Sequence, residues 1–259
     1  MTVRTRTFAA TLAVAAAAVV TAATANAAVV PVNPGPIGAG RPIVGTTQNL
    51  PPLTAQQTYD AGDGFDSYII DYYASGQATK DQSDISAAAL KWVRTYVDRS
   101  CGGDAKKCKA MVVFDIDDTL ESTYAVSKSD NPPFSYDNQA WSDALSACQL
   151  PLNEPVADFY KAVRKLGLAV GIVTGRNQSL RDETATCLQK QGISGWYELV
   201  TRTSATADLT AAKYKSQQRA AWEKKGFTIV ASIGDQVSDM ALGHLQRGFL
   251  LPNPMYMIP

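Results

Sequence analysis

The chain has 259 residues, 46% hydrophobic and 19% charged, with 24 basic and 24 acidic side chains. That length supports one good-sized core. The balanced charge speaks against a nucleic-acid polymer as partner, since general binders carry a basic excess. A single histidine, His244, excludes any site needing two imidazoles, zinc-finger types included.

Residues 1–27 read as a secretory signal. Arg4 and Arg6 make a positive start, and residues 8–20 are almost entirely Ala, Val and Leu, broken by Thr11. Ala25-Asn26-Ala27 fits a small-x-small cleavage site. The apolar run is short of the roughly 20 residues that span a bilayer. The expectation is a soluble, exported protein, extracellular or periplasmic, without membrane attachment after cleavage. Cleavage removes two basic residues and no acid, which leaves the mature chain mildly acidic.

Residues 28–54 are rich in Pro and Gly and read as an extended or disordered lead-in. A single domain is expected over 55–259. Residues 55–99 look helical. The clearest stretch is 83–99, where Ile85, Ala88, Ala89, Trp92, Val93 and Tyr96 recur at helical spacing behind a Ser83 or Asp84 cap. Beyond it, short apolar runs at 111–114, 168–173 and 228–233 read as strands, with weaker ones at 197–200 and 249–251. Helical stretches at 155–166, 179–191 and 216–225 lie between them. Alternation of this kind predicts an α/β fold with a central parallel sheet flanked by helices.

Export places the four cysteines in an oxidising compartment. Three pairings are open to them. Cys101 and Cys108 flank a Gly-Gly turn, so they are expected to close a local loop, which leaves Cys148 for Cys187.

In parallel α/β sheets the chemistry gathers at the carboxyl ends of the strands. Asp115, Asp117 and Asp118 follow the first run. Thr174-Gly175-Arg176 follows the second, and Gly234-Asp235 with Asp239 follows the third. Converging carboxylates repel one another and desolvate unless a cation offsets them. Oxygen donors on loops suit Mg²⁺. Asp115, at a strand end, is placed as a carboxylate nucleophile. Asp117, two residues on, is placed as general acid and base. Thr174 and the Gly175 amide are expected to hold phosphoryl oxygens at the start of the next helix. Asp235 and Asp239 complete the metal set. The fixed positive charge that phosphoryl transfer needs falls to Lys213 or Lys215. Arg176 is either a substrate contact or a structural partner near the site.

Together these segments name a family. VVFDIDDT (112–119), IVTGR (172–176), Lys215 and GDQVSD (234–239) resemble, in order, the four motifs of the haloacid dehalogenase (HAD) superfamily of phosphohydrolases. The stretch 114–120, Tyr214-Lys215-Ser216 with Arg219, and the terminal LPNPMY (251–256) resemble subclass IIIB acid phosphatases. That group holds plant acid phosphatases, vegetative storage proteins and bacterial lipoprotein phosphatases.

The resemblance implies a Rossmann-like core with a small helical cap, here about 120–153. It implies Mg²⁺ held by the Asp115 carboxylate, the Asp117 main-chain carbonyl and the Asp235 carboxylate. It implies a phosphoaspartyl intermediate on Asp115, with Lys215 rather than Lys213 as the phosphoryl-stabilising lysine. The expected substrates are small phosphate monoesters. Transfer to alcohols, or a non-catalytic storage role on the same scaffold, are the alternatives. The cap aromatics Tyr124, Phe134, Tyr136 and Trp141 either stack a ring-bearing leaving group or pack the cap. His244 is expected on a helix after Asp239, away from catalysis.

Overall fold

A computed structural model describes residues 30–31, 43–45, 59–60 and 65–258. The signal segment 1–27 and most of the lead-in lie outside these residues. Nine strands and seven α-helices occur among them. In chain order these are β1 (Val30–Pro31), β2 (Ile43–Gly45), β3 (Tyr59–Asp60), α1 (Asp66–Ala74), α2 (Gln77–Cys101), β4 (Ala110–Phe114), α3 (Tyr124–Ser129) and α4 (Asn138–Ser146). There follow α5 (Glu154–Lys165), β5 (Ala169–Asn177), α6 (Arg181–Lys190), β6 (Glu198–Arg202), α7 (Ala211–Lys224), β7 (Thr228–Gly234), β8 (Gly248–Leu250) and β9 (Tyr256–Met257).

The main sheet runs β1-β2-β8-β7-β4-β5-β6. Six strands are parallel and only the edge strand β1 is antiparallel. β3 and β9 form a separate antiparallel pair. Both faces of the central strand β4 are buried, which is why its residues read as an unbroken apolar run. Val112 and Phe114 face a core built with α2 and α5, while Met111 and Val113 face one built with Trp222 of α7. Gly171 on β5 admits the Trp222 ring, since a Cβ there would lie 2.5 Å from it.

α2 begins six residues before the expected Ser83 cap. Its cap is Gly76, at φ 78, and buried Ala78, Asp81 and Gln82 carry the inward face upstream of Ile85. Ile85, Ala89, Val93 and Val97 then give a fourfold-spaced buried stripe. Trp92 Nε1 donates to the Val230 carbonyl at 2.9 Å, beside the irregularity in the β4–β7 register.

Several sequence expectations change. The segment expected to be helical from residue 55 includes a strand, β3, that pairs with the chain terminus. Two short strands, β1 and β2, fall within the Pro/Gly-rich lead-in and extend the sheet. No helix follows Asp239. Leu242, Gly243 and His244 all have positive φ (61, 80 and 59), which forbids helix continuation there. β5 does not stop at Val173. Three of its residues, Thr174 to Arg176, stand against a single residue of β6, so the strand bulges at the carboxyl end of the sheet. A 3-10 turn, Gln178–Leu180, separates this bulge from α6.

Both expected disulfides, Cys101–Cys108 and Cys148–Cys187, are formed, and no cysteine is free among the described residues. No described helix is long and apolar enough to cross a membrane.

Candidate active site

β4 connects to β5 on one side, and β7 lies on its other side. Strand order therefore reverses at β4, the position where parallel α/β sheets open a crevice. Asp115 leaves β4 there, its N–H donating to Ile233 O at 3.2 Å. Asp118 then takes a left-handed conformation, φ 53. Its carboxylate accepts the Thr123 N–H at 2.9 Å, the Thr123 hydroxyl at 2.6 Å and the Tyr256 hydroxyl at 2.7 Å. That turn brings Asp117 round beside Asp115 at the same cavity.

Asp115, Asp235 and Asp239 are all buried and offer carboxylate oxygens within 4.8 Å of one another. Lys215 Nζ donates to Asp115 Oδ1 at 2.7 Å and also to Asp239 Oδ1. The neighbouring Lys213 is exposed. Two residues apart on a helix point about 200° apart, so α7 can deliver only one of the two. Asp235 accepts from Thr119 Oγ1 at 3.1 Å and from Gln236 Nε2 and Asn253 Nδ2, each at 2.7 Å. Asp239 accepts the Gln236 N–H at 2.9 Å. This requires Gly234, because a Cβ there would lie 2.0 Å from the Asp239 carboxylate. Arg219 donates to the carbonyls of Asp239, Ala241 and Gly243 and so pins the turn behind Asp239.

Burial pushes the Asp115 carboxyl up to about 7, with Lys215 opposing and Asp239 reinforcing the rise. Burial and the neighbouring carboxylates raise Asp235 well above the carboxylate range. Lys215 lies above the ordinary lysine value; burial lowers it, but Asp115 and Asp239 outweigh that. Three carboxylates, if all ionised, would outnumber their one lysine.

Two cavities meet at Asp117, Gly175, Tyr256 and Ile258. One, about 320 Å³, contains Asp115, Lys215, Asp235 and Ser238. The other, about 580 Å³, runs under the cap and is lined by Phe134, Tyr136 and Trp141. α3 and α4 lie in the region expected to form the cap. The cap aromatics divide their work. Tyr124 stacks on Tyr73 at 4.0 Å, and Phe134 is buried against Ile69 and Met255 while also reaching the larger cavity. Tyr136 is exposed, and Trp141 lies over the Arg176 guanidinium at 5.6 Å.

Two expected substrate contacts also have partners within the protein. Thr174 is fully buried and lines neither cavity; its Oγ1 accepts the Arg176 N–H at 3.2 Å, which shapes the bulge. Only Gly175 of that pair faces the cavities, from a strand bulge rather than a helix start. Arg176 lines the larger cavity, but its side chain is buried and committed to carboxylates: Nη2 to Asp117 Oδ1 at 2.6 Å and to Glu121 Oε2 at 2.7 Å. His244 is exposed and pairs with Glu223 at 2.6 Å. Sequence reasoning missed Glu121, Thr119, Gln236 and the side-chain roles of Asn253 and Tyr256. All but Glu121 carried a signal, as members of the quoted motifs.

The family model described as "HAD superfamily, subfamily IIIB (Acid phosphatase)" matches residues 47–259. Acid phosphatase 1 of Solanum lycopersicum is 35% identical over 155 residues, 56% of this chain and 58% of that protein. Vegetative storage protein 1 of Arabidopsis thaliana is 32% identical over 57% of this chain and 55% of its own length. The chain thus spans little more than half of these relatives. Among solved structures, a class C acid phosphatase from Bacillus anthracis superposes with a TM-score of 0.57 at 15% identity, over 74% of this chain and 84% of that one. That likeness concerns the fold.

Proposed function

Because the chain belongs to subfamily IIIB, the acid phosphatases, of the HAD superfamily, we propose that it is a secreted, Mg²⁺-dependent phosphatase of small phosphate monoesters, working through a phosphoaspartyl intermediate. One observation carries this reading. Asp115 sits buried at the switch point of the sheet, bonded to Lys215 and clustered with Asp235 and Asp239 at a cavity.

The residues fit a hard divalent cation. Their donors are all oxygens, three carboxylates share one lysine, and the buried Ser238 Oγ at the same cavity has no protein partner. Asp115, Asp235 and the Asp117 main-chain carbonyl would hold the ion, with Asp239 behind them on Lys215. When bound, Mg²⁺ supplies charge against the phosphoryl oxygens.

The chain's own groups do the rest. An Asp115 oxygen attacks phosphorus and the ester P–O bond breaks. Asp117 gives its proton to the departing oxygen. Asp117, now a carboxylate, takes a proton from the water that attacks the phosphoenzyme, which frees phosphate and restores Asp115. Lys215 holds positive charge against the transferring group, and the Gly175 backbone lines its path. The larger cavity, with its aromatic walls, receives the leaving group. Two disulfides suit an oxidising compartment, in keeping with secretion.

The test is hydrolysis of p-nitrophenyl phosphate with Mg²⁺ and after chelation, in the wild type and in Asp115→Asn. Turnover that requires both the ion and Asp115 is expected. Equal activity after chelation, or in the variant, sinks the mechanism. The vegetative storage relatives favour a second reading as a storage protein, and absent turnover at every pH tried would select it.

A further inference from the structure

We infer that Glu121 is a positioning residue for Asp117, acting through Arg176; the inference rests on the phosphatase reading above. Glu121 is 1% exposed and lines neither cavity, so it cannot touch substrate. Both of its carboxylate oxygens are occupied. Oε2 accepts from Arg176 Nη2 at 2.7 Å and Oε1 from Gln191 Nε2 at 2.8 Å. Its backbone is fixed too, by bridges to Asp117 on one side and Leu152 on the other.

Arg176 is held from behind by Glu121 and, at 3.4 Å, by Thr184 on its Nη1. The adjoining edge of the guanidinium, which shares Nη2, meets Asp117. Nε donates to Oδ2 at 3.1 Å and Nη2 to Oδ1 at 2.6 Å. This forked contact fixes the rotation of a carboxylate more tightly than a single bond does. Asp117 is the member of the three that reaches both cavities, with 21% of its side chain exposed. Glu121 therefore sets the guanidinium plane, and the guanidinium plane sets where Asp117 presents its oxygens.

A second buried carboxylate on one arginine is costly to desolvate. A simple structural ion pair would not need it. Substituting Glu121→Gln keeps the shape and leaves Arg176 paired with Asp117, so no buried charge is stranded.

The consequence is specific to proton delivery. An alkyl phosphate needs a proton on its departing oxygen, whereas p-nitrophenolate leaves without one. The measurement is kcat/KM, which reports the steps through departure of the leaving group, for glycerol 2-phosphate and p-nitrophenyl phosphate with Mg²⁺. E121Q is expected to lose about 10-fold on the alkyl ester, a modest part of what general-acid catalysis supplies, and little on the aryl ester. Asp117→Asn should show the same bias, larger. Gln191→Met, which removes the other bond to Glu121 at a half-buried position, should show it in smaller degree and stands in if E121Q does not fold. Equal losses on the two esters, or no loss on either, overturn the inference. Wild-type protein inactive on both esters instead overturns the phosphatase reading, and this inference with it.

Discussion

Lys215 Nζ lies 2.7 Å from Asp115 Oδ1, bridging 100 residues of sequence, and the same ammonium contacts Asp239. One buried cation is thus shared by two carboxylates, Asp115 and Asp239. Lys215→Met strands both acids. The expected loss of turnover is about 10²–10³-fold, typical of removing a preorganised charge from a transferring group. The expected destabilisation is about 3–5 kcal/mol. Thermal melts should show part of that loss restored by Mg²⁺. A variant as stable as wild type in chelator would show that the lysine does not hold the cluster together.

The carboxyls raised by burial give the metal-free protein a definite pH dependence. Asp115 is pushed up to about 7, Asp118 to about 6 and Asp235 well above its ordinary value, burial being the largest cause for each. Between about pH 4 and 7 the folded state holds protons at these sites that the unfolded chain has released. Their contribution is therefore greatest at low pH and is lost as pH rises through about 7. In chelator, Tm should be higher near pH 5 than near pH 7.5. Mg²⁺ competes with these protons, so it should raise Tm more at the higher pH. A Tm that climbs with pH in chelator would contradict the assignment.

Removal of the Cys148–Cys187 bridge, which closes 39 residues, should cost about 4 kcal/mol by loop entropy, against about 2 kcal/mol for Cys101–Cys108, which closes 7. Paired Cys→Ala substitutions followed by denaturant unfolding check the order. Equal costs would show that native packing, rather than chain closure, sets the bridges' worth.

Asn253, 18 residues further along the chain, acts on Asp235. Its Nδ2 donates to Asp235 Oδ2, and its Oδ1 accepts the Met255 N–H at 2.8 Å. Asn253→Ala should weaken Mg²⁺ activation about 10- to 100-fold, as loss of an outer partner of a metal ligand does. Turnover at saturating ion should stay near wild type. A Mg²⁺ titration of activity checks it, and an unchanged half-saturation point would remove Asn253 from this role.

What could be read in the sequence divides along a physical line. Asp115, Asp235, Asp239 and Lys215 were legible because each lies at a fixed offset from a strong apolar run or within a compact motif. The sheet was legible because doubly buried strands leave uninterrupted apolar signals. The helix start expected at Gly175 was not legible as the strand bulge it is, because a bulge has no periodic signature. The role of Arg176 depended on Glu121 and Thr184, 55 and 8 residues distant, and only the fold brings these together. The turn at residues 242–244 reads as helix by composition, yet three consecutive left-handed residues break it.

The Cys148–Cys187 bridge has one more effect. Cys148 ends the cap segment that begins with α4, and Cys187 lies on α6, the helix that also carries Thr184 behind Arg176. Any outward movement of the α4 segment at Cys148 must therefore carry α6 with it, so the wall of the larger cavity and the helix behind Arg176 are tied at that point.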